Sequence, residues 1–217
     1  MTSGSHNSDI VFPRAARRAQ AERGSAELYA KRIAAGFPDH ITPELAGFIA
    51  GLDTAFLATV SAAGAPYIQH RGGPNGFIKV LDERTLGFAD YAGNRQYITI
   101  SNLADNDHAY LFLLDFAARR RIKIWGRARV VENDPALLTR LADPGYRARP
   151  ERAILFTVEA WDVNCPQHIT ARFTANEVAD GTVVLRERIA ELEAENARLR
   201  ARSVPSELRE SEAAASA

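Results

Sequence analysis

The hydrophobic pattern changes period twice along the chain. Leu45, Phe48, Ile49 and Leu52 recur at the spacing of one helical face, behind Thr42-Pro43-Glu44, a hydroxyl cap with proline at the first helical position. From Thr54 onward the pattern becomes short β-rich runs separated by turn residues. The runs are Ala55–Val60, Pro66–His70, Gly76–Leu81 and Leu86–Ala89, with Ala63-Gly64 and Glu83-Arg84-Thr85 as breaks of hairpin length. Gly93–Leu103 reads as a helix, and Ala109–Phe116 and Arg121–Val131 as two longer strands. Asp134-Pro135 opens a short helix, and Ile154–Trp161 is the last strand. Upstream, Arg14–Gly36 reads as an Ala/Arg/Glu-rich helix with Ser25 a candidate cap and Gly36 a candidate stop, behind a polar, mobile first dozen residues. The predicted architecture is mainly β with flanking helices: six or seven antiparallel strands in a small closed barrel.

The second change of period falls at Ala175–Arg202. With Leu185, Leu192 and Leu199 at heptad position d, Ile189 and Asn196 fall at a, Arg188 and Glu195 at g, and Glu193 and Arg200 at e. A parallel homodimer would set Arg188 against Glu193 and Glu195 against Arg200, while an asparagine at a fixes register and two-stranded state. The other reading is an amphipathic helix folded back on its own barrel. Ser203–Ala217 reads as a frayed tail. Three segments follow: residues 1–41, a polar stretch and helix; 42–174, the barrel; and 175–217, the charged helix and tail.

Composition narrows the function. Of 217 residues, 46% are hydrophobic, enough for a real core, and 27 basic residues balance 27 acidic ones. That balance argues against nucleic acid or an anionic membrane as partner and leaves room for a local anion site. One cysteine fits a reducing, cytoplasmic setting, and no apolar run suggests a leader or a span.

Four segments could carry chemistry. Arg71-Gly72-Gly73-Pro74-Asn75-Gly76 sets three glycines beside a cation, so backbone amides could approach an anion or a flat ring edge; an ordinary wide turn has the same composition. Asp90-Tyr91-Ala92-Gly93-Asn94-Arg95-Gln96 leaves a strand for a helix, where free amides and the Arg95 guanidinium would suit a phosphate. In the strand from Arg119 to Val131, Arg121, Lys123, Trp125, Arg127 and Arg129 alternate with Ile122, Ile124, Gly126, Ala128 and Val130. One face is therefore core. The other stacks like charges and calls for water, acidic side chains or a bound polyanion. Finally, Trp161, Asn164 and Gln167 could border an aromatic ligand, while Cys165 and His168 could share a helical face as thiol and base. No metal site is expected from these spacings.

The order of these pieces resembles the FMN-binding split-barrel proteins related to pyridoxamine 5′-phosphate oxidase. The resemblance runs from about Pro43 to Phe173 and rests on Ala55–Val60, Asn75–Asp82, Phe88–Gln96, Arg121–Ala128 and Glu159–Ile169, the last resembling an uncharacterised branch. It implies a split rather than closed barrel, a homodimer, and FMN at the subunit interface. Carried over residue by residue, it implies that Arg95, Gln96 and Arg121 serve the phosphate and ribityl end, with Asp90 and Asn94 also among the cofactor-binding residues. Asn75, Gly76, Phe77, Ile78 and Lys79 would follow the flavin edge. Trp161, Asn164 and Gln167 would border the ring or the substrate, and His168 is a candidate for proton transfer. The usual lysine of the basic pair is Gln96 here, and the Arg-Pro-Arg helix and Arg-Leu-His-Asp-Arg ending of the oxidase itself are not matched. The implied function is an FMN-dependent oxidoreductase of a small, anionic substrate. The alternatives are a non-catalytic flavin module, a haem-binding split barrel using His70, His108 or His168, and a non-enzymatic dimerisation scaffold built around the zipper.

Overall fold

The structure, a computed structural model, describes residues 7–203. The chain divides between Ala171 and Arg172 into two units. The first contains helices α1 (Ser8–Val11), α2 (Arg14–Glu22), α3 (Ala26–Ala35), α4 (Pro43–Ala50), α5 (Ile98–Asp105) and α6 (Pro135–Leu141). Its strands are β1 (Thr54–Val60), β2 (Pro66–Gly72), β3 (Lys79–Val80), β4 (Thr85–Tyr91), β5 (His108–Asp115), β6 (Arg120–Val131) and β7 (Pro150–Asn164). The second unit holds one helix, α7 (Ala175–Ser203).

Two of the helix starts are set by the sequence patterns noted above. Thr42 Oγ1 accepts the Leu45 amide at 3.2 Å and the Asp134 carboxylate accepts the Leu137 amide at 2.9 Å, each with proline just inside the helix. The expected single helix over Arg14–Gly36 is two, because Gly24 takes φ +71° and ends α2. The first dozen residues also depart from expectation. Ser8 Oγ donates to the Ile33 carbonyl at 3.0 Å, Asn7 exchanges hydrogen bonds with Phe37, and Phe12 packs tilted against Tyr29 and edge-on against Phe37. The expected mobility of Met1–His6, and the tail beyond Ser203, lie outside the described residues.

The sheet runs β2-β1-β5-β6-β7-β4-β3, antiparallel throughout, and its inner face with α4 encloses Leu45, Ile49, Leu57, Leu86, Phe88, Leu111, Leu113, Ile122, Ile124, Ile154 and Phe156. The closed barrel read from the residues alone is corrected. β2 and β3 stand at the two ends of the sheet and share no ladder, so the barrel is split. The cause lies in the run expected to form the strand Gly76–Leu81, of which only Lys79–Val80 pair. Gly76 turns at φ +73° and donates its amide to Leu52 at 2.8 Å, and a Cβ there would sit 3.0 Å from the Ala50 carbonyl. The turn drives Phe77 and Ile78 into the core, each 3% exposed, which removes them from the ladder.

Strand β6 shows the expected alternation, with Ile122, Ile124 and Ala128 buried. It shifts register against β7 between Trp125 and Gly126, where Glu159 is the extra residue. Gly126 is needed there, because a Cβ would meet the Thr157 carbonyl at 2.0 Å and the Phe156 ring at 2.6 Å. Replacement by alanine overpacks the bulge and lowers stability by about 1–3 kcal/mol. Urea unfolding of Gly126→Ala should show this as a lower midpoint at unchanged slope.

Candidate functional site

Strand β2 carries an inverted pattern. Ile68 is exposed, whereas Tyr67, Gln69 and Arg71 turn inward, toward β4 and β7 across the split. Inward polar groups on an edge strand need partners. Arg71 finds Asp90 of β4, with Nη1 donating to the carboxylate at 2.5 Å, and Gln69 accepts from Thr99 Oγ1 of α5 at 2.8 Å. Asp90 is 7% exposed and takes a second guanidinium, because Arg152 of β7 stands opposite it in the ladder and donates through Nη1 at 3.1 Å. Arg152 also meets Glu151 at 2.9 Å and lies 5.5 Å from the Tyr97 ring centre. A buried carboxylate between two guanidinium groups from opposite sides of the split thus joins strands that share no ladder.

Above this triad opens a cleft of about 240 Å³. Its floor is Tyr67, Gln69, Arg71, Asp90 and Arg152, and its rim is the 93–100 segment. The helix expected over Gly93–Leu103 starts only at Ile98, so Asn94, Arg95 and Gln96 belong to the loop before it and not to its first turn. That loop is strained: Arg95 and Tyr97 take φ +59° and +56°. It is tied down at both ends, by the Ala92 amide on the Arg149 carbonyl at 2.9 Å and by Asn102 Nδ2 on Thr59 at 3.0 Å. Arg95 is exposed at the rim. At the floor the Arg71 and Arg152 Nε atoms are buried without a hydrogen bond, although Arg152 Nε lies 3.4 Å from Glu132. Three cations line the cleft, Arg71 and Arg152 each with 13% of the side chain exposed and Arg95 exposed at the rim, an arrangement suited to a bound anion.

Of the residues singled out in the sequence, the cleft gathers Asp90, Asn94, Arg95 and Gln96. Asp90, however, holds two arginines and cannot repel or bind a ligand as a free carboxylate. The others lie elsewhere in the chain. Phe77 and Ile78 are core, Gly76 is committed to its turn, Asn75 is exposed, and Lys79 donates to Asp143 at 2.7 Å. Trp161 is buried, its indole donating to the His40 carbonyl at 2.8 Å. Gln167 and His168 are exposed in the loop after β7, His168 at φ +64°. Arg121 pairs with Asn164 in the ladder on the outer face of β6, the face opposite the cleft, and its Nε is buried without a partner. His70 shares a 2.6 Å hydrogen bond with Thr54, and His108 lines a separate cavity of about 230 Å³ with Tyr110 and Trp125. Cys165 is exposed.

The charged row on β6 is balanced by acidic side chains. Arg127 pairs with Asp107 and Glu159 at 2.7 and 2.8 Å, and Lys123 and Arg32 both reach the buried Asp162. Sequence reasoning missed Tyr67, Gln69 and Arg152 and met Arg71 only as part of a glycine-rich turn. The available signal was the polar i, i+2, i+4 spacing of β2, whose direction depends on which face is core.

The family model for pyridoxamine 5′-phosphate oxidase matches residues 41–165. No curated protein matches the chain. Among solved structures, HupZ of Group A Streptococcus is 19% identical, with a TM-score of 0.48, over 61% of this chain and 99% of that one. An FMN-binding protein from Syntrophomonas wolfei is 13% identical, with a TM-score of 0.45, over 70% and 95%. A protein from Clostridium acetobutylicum, described as related to a general stress protein of the pyridoxinephosphate oxidase family, is 16% identical, with a TM-score of 0.42, over 62% and 94%. Among the described residues no helix is long and apolar enough to cross a membrane.

Two measurements test this geometry. Asp90→Asn takes the counter-charge from the buried Arg71 guanidinium, leaves Arg152 with Glu151 and Glu132 alone, and should lower unfolding stability by about 3 kcal/mol, read by denaturant titration. On the outer face, burial pushes the Tyr110 phenol up to about 12, with Asp162 adding to the effect and Arg121 opposing it. The folded state thus favours the neutral phenol. Its contribution to stability is intact below the ordinary value of 10.0 and is lost as pH rises from there to about 12. A phenolate absorbance titration should show a late transition that Tyr110→Phe removes.

Proposed function

Because the chain belongs to the pyridoxamine 5′-phosphate oxidase family, we propose that it is an FMN-binding flavoprotein. It acts as an FMN-dependent oxidoreductase on a small, anionic substrate, in the cytoplasm, as a homodimer with the flavin at the subunit interface. The observation that carries this reading is the convergence of three arginines from separate parts of the fold, Arg71, Arg95 and Arg152, on one cleft. A terminal phosphate is the chemical group that fits them. When bound, FMN supplies the electron transfer. The chain supplies the anchor, with Arg71 and Arg152 held rigid by Asp90, and Arg95, Asn94 and Gln96 closing over the phosphate from the rim.

Size supports the interface. The cleft holds about 240 Å³, below the roughly 300–1,000 Å³ of pockets that enclose a drug-sized ligand. One chain therefore covers one end of FMN and leaves the ring for a second chain. In such a dimer the outer-face pair Arg121 and Asn164, together with Gln167 and His168, is available to the flavin seated on the other subunit. Pyridoxamine phosphate is not proposed as substrate, since the Arg-Pro-Arg helix of the oxidase is not matched in this sequence.

Purified protein should show a flavin spectrum, or acquire one on adding FMN, and Arg95→Ala should weaken binding by about 1.5–3 kcal/mol through loss of a charge-assisted contact. A colourless protein that takes up no FMN in a fluorescence titration defeats the proposal. Steady oxidation of a reduced nicotinamide or deazaflavin by the holoprotein separates an enzyme from a flavin-storing module.

A further inference from the structure

The 29-residue helix α7 is continuous from Ala175 to Ser203. Its Leu185, Ile189 and Leu192 are 62%, 55% and 46% exposed. A helix with that much apolar surface in water is stable in proportion to what covers the surface. Extended along the observed helix, the heptad register places Val178, Leu185, Leu192 and Leu199 at d, and Thr182, Ile189 and Asn196 at a. Thus the seam runs more than three heptads. Val183 and Val184 stand beside it at b and c.

We propose that α7 is a parallel, in-register, two-stranded coiled coil with the α7 of a second copy of this chain. Charge supports a copy as the occupant. Across a parallel seam each g residue faces the next e residue of its partner, which sets Arg188 against Glu193 and Glu195 against Arg200, four opposite-sign pairs counting both directions. An antiparallel pairing also matches charges, with Arg188 meeting Glu195 and Arg186 meeting Glu193, so charge alone does not orient the helices.

Asn196 orients them. In the antiparallel arrangement its amide at a would press on Leu185 at d of the partner and leave donors and acceptor unsatisfied in the seam. In the parallel one the two Asn196 amides meet and bond each other, which also selects two strands over three. Arg188 is already set for this role on the surface, ion-paired to Glu191 one turn on at 2.7 Å, from which it can turn to the partner's glutamate.

Disulfide trapping in the full chain tests the proposal. With the exposed Cys165 replaced by serine, Asn196→Cys places two thiols side by side at an a layer, and Ala194→Cys places them at f, facing away. Under a glutathione redox buffer, Asn196→Cys should give at least about tenfold more linked dimer than Ala194→Cys, because the seam raises the effective thiol concentration. Equal cross-linking of Asn196→Cys and Ala194→Cys, or none from either Asn196→Cys or the double variant Leu185→Cys/Asn196→Cys, overturns the coiled coil. Strong cross-linking of the double variant Leu185→Cys/Asn196→Cys without any from Asn196→Cys overturns the parallel direction. Should Asn196→Cys disturb the helix, Leu192→Cys at the neighbouring d layer gives the same comparison. The readout does not depend on flavin, so it stands or falls apart from the FMN reading.

Discussion

The constraint on which this fold depends is the charge of Asp90. A carboxylate almost removed from water is tolerable only if opposite charge and hydrogen bonds replace the water it lost. Arg152 is its neighbour in the ladder, but Arg71 comes from the far edge of the sheet, so satisfying the carboxylate fixes how far the sheet must curl. The split barrel is held across its open seam by ions where a closed barrel would use backbone pairing. Because each guanidinium carries five donors and one carboxylate cannot occupy them all, the same arrangement lines the cleft with two arginines. The structural bond and the candidate anion site are two sides of one geometry.

Charge elsewhere in the unit serves packing. The row Arg121, Lys123, Arg127 and Arg129 looks in isolation like a polyanion track. In the fold Asp107, Glu159 and Asp162 answer Lys123 and Arg127, and Arg32 of α3 reaches in to share Asp162. The N-terminal helices are therefore tied to the outer face of β6 and β7 by a buried acid as well as by the rings of Phe12, Phe37 and Trp125. Arg121 stands apart from this balance, buried at Nε with no hydrogen bond.

Much of the fold was legible because it rests on local rules. Proline-containing caps located α4 and α6, and alternation located β1, β5, β6 and β7 to within a few residues. What escaped depended on tertiary context. The run Gly76–Leu81 has strand composition, yet the space beneath α4 needed Phe77 and Ile78 more than the sheet edge did. Lys79 went to Asp143 and the start of α5 slid to Ile98, since neither the reach of a lysine nor a left-handed Tyr97 is written in composition. The cleft was half legible: its rim residues sit in one contiguous segment, whereas Arg71 and Arg152 are brought together only by the curl of the sheet.

Cleft and helix bear on one another through concentration. A flavin site that one chain only partly encloses needs a second chain to remain in place while the cofactor is absent or exchanging. A coiled coil between identical helices would hold two copies at an effective concentration near the millimolar range that short flexible linkers give. On the two proposals together, the barrel interface need not be tight in isolation: it can stay open enough for flavin to enter while the tether makes its closure effectively unimolecular. A folded-back α7 would offer no such help, and the barrels would then have to carry the whole association through their own surfaces.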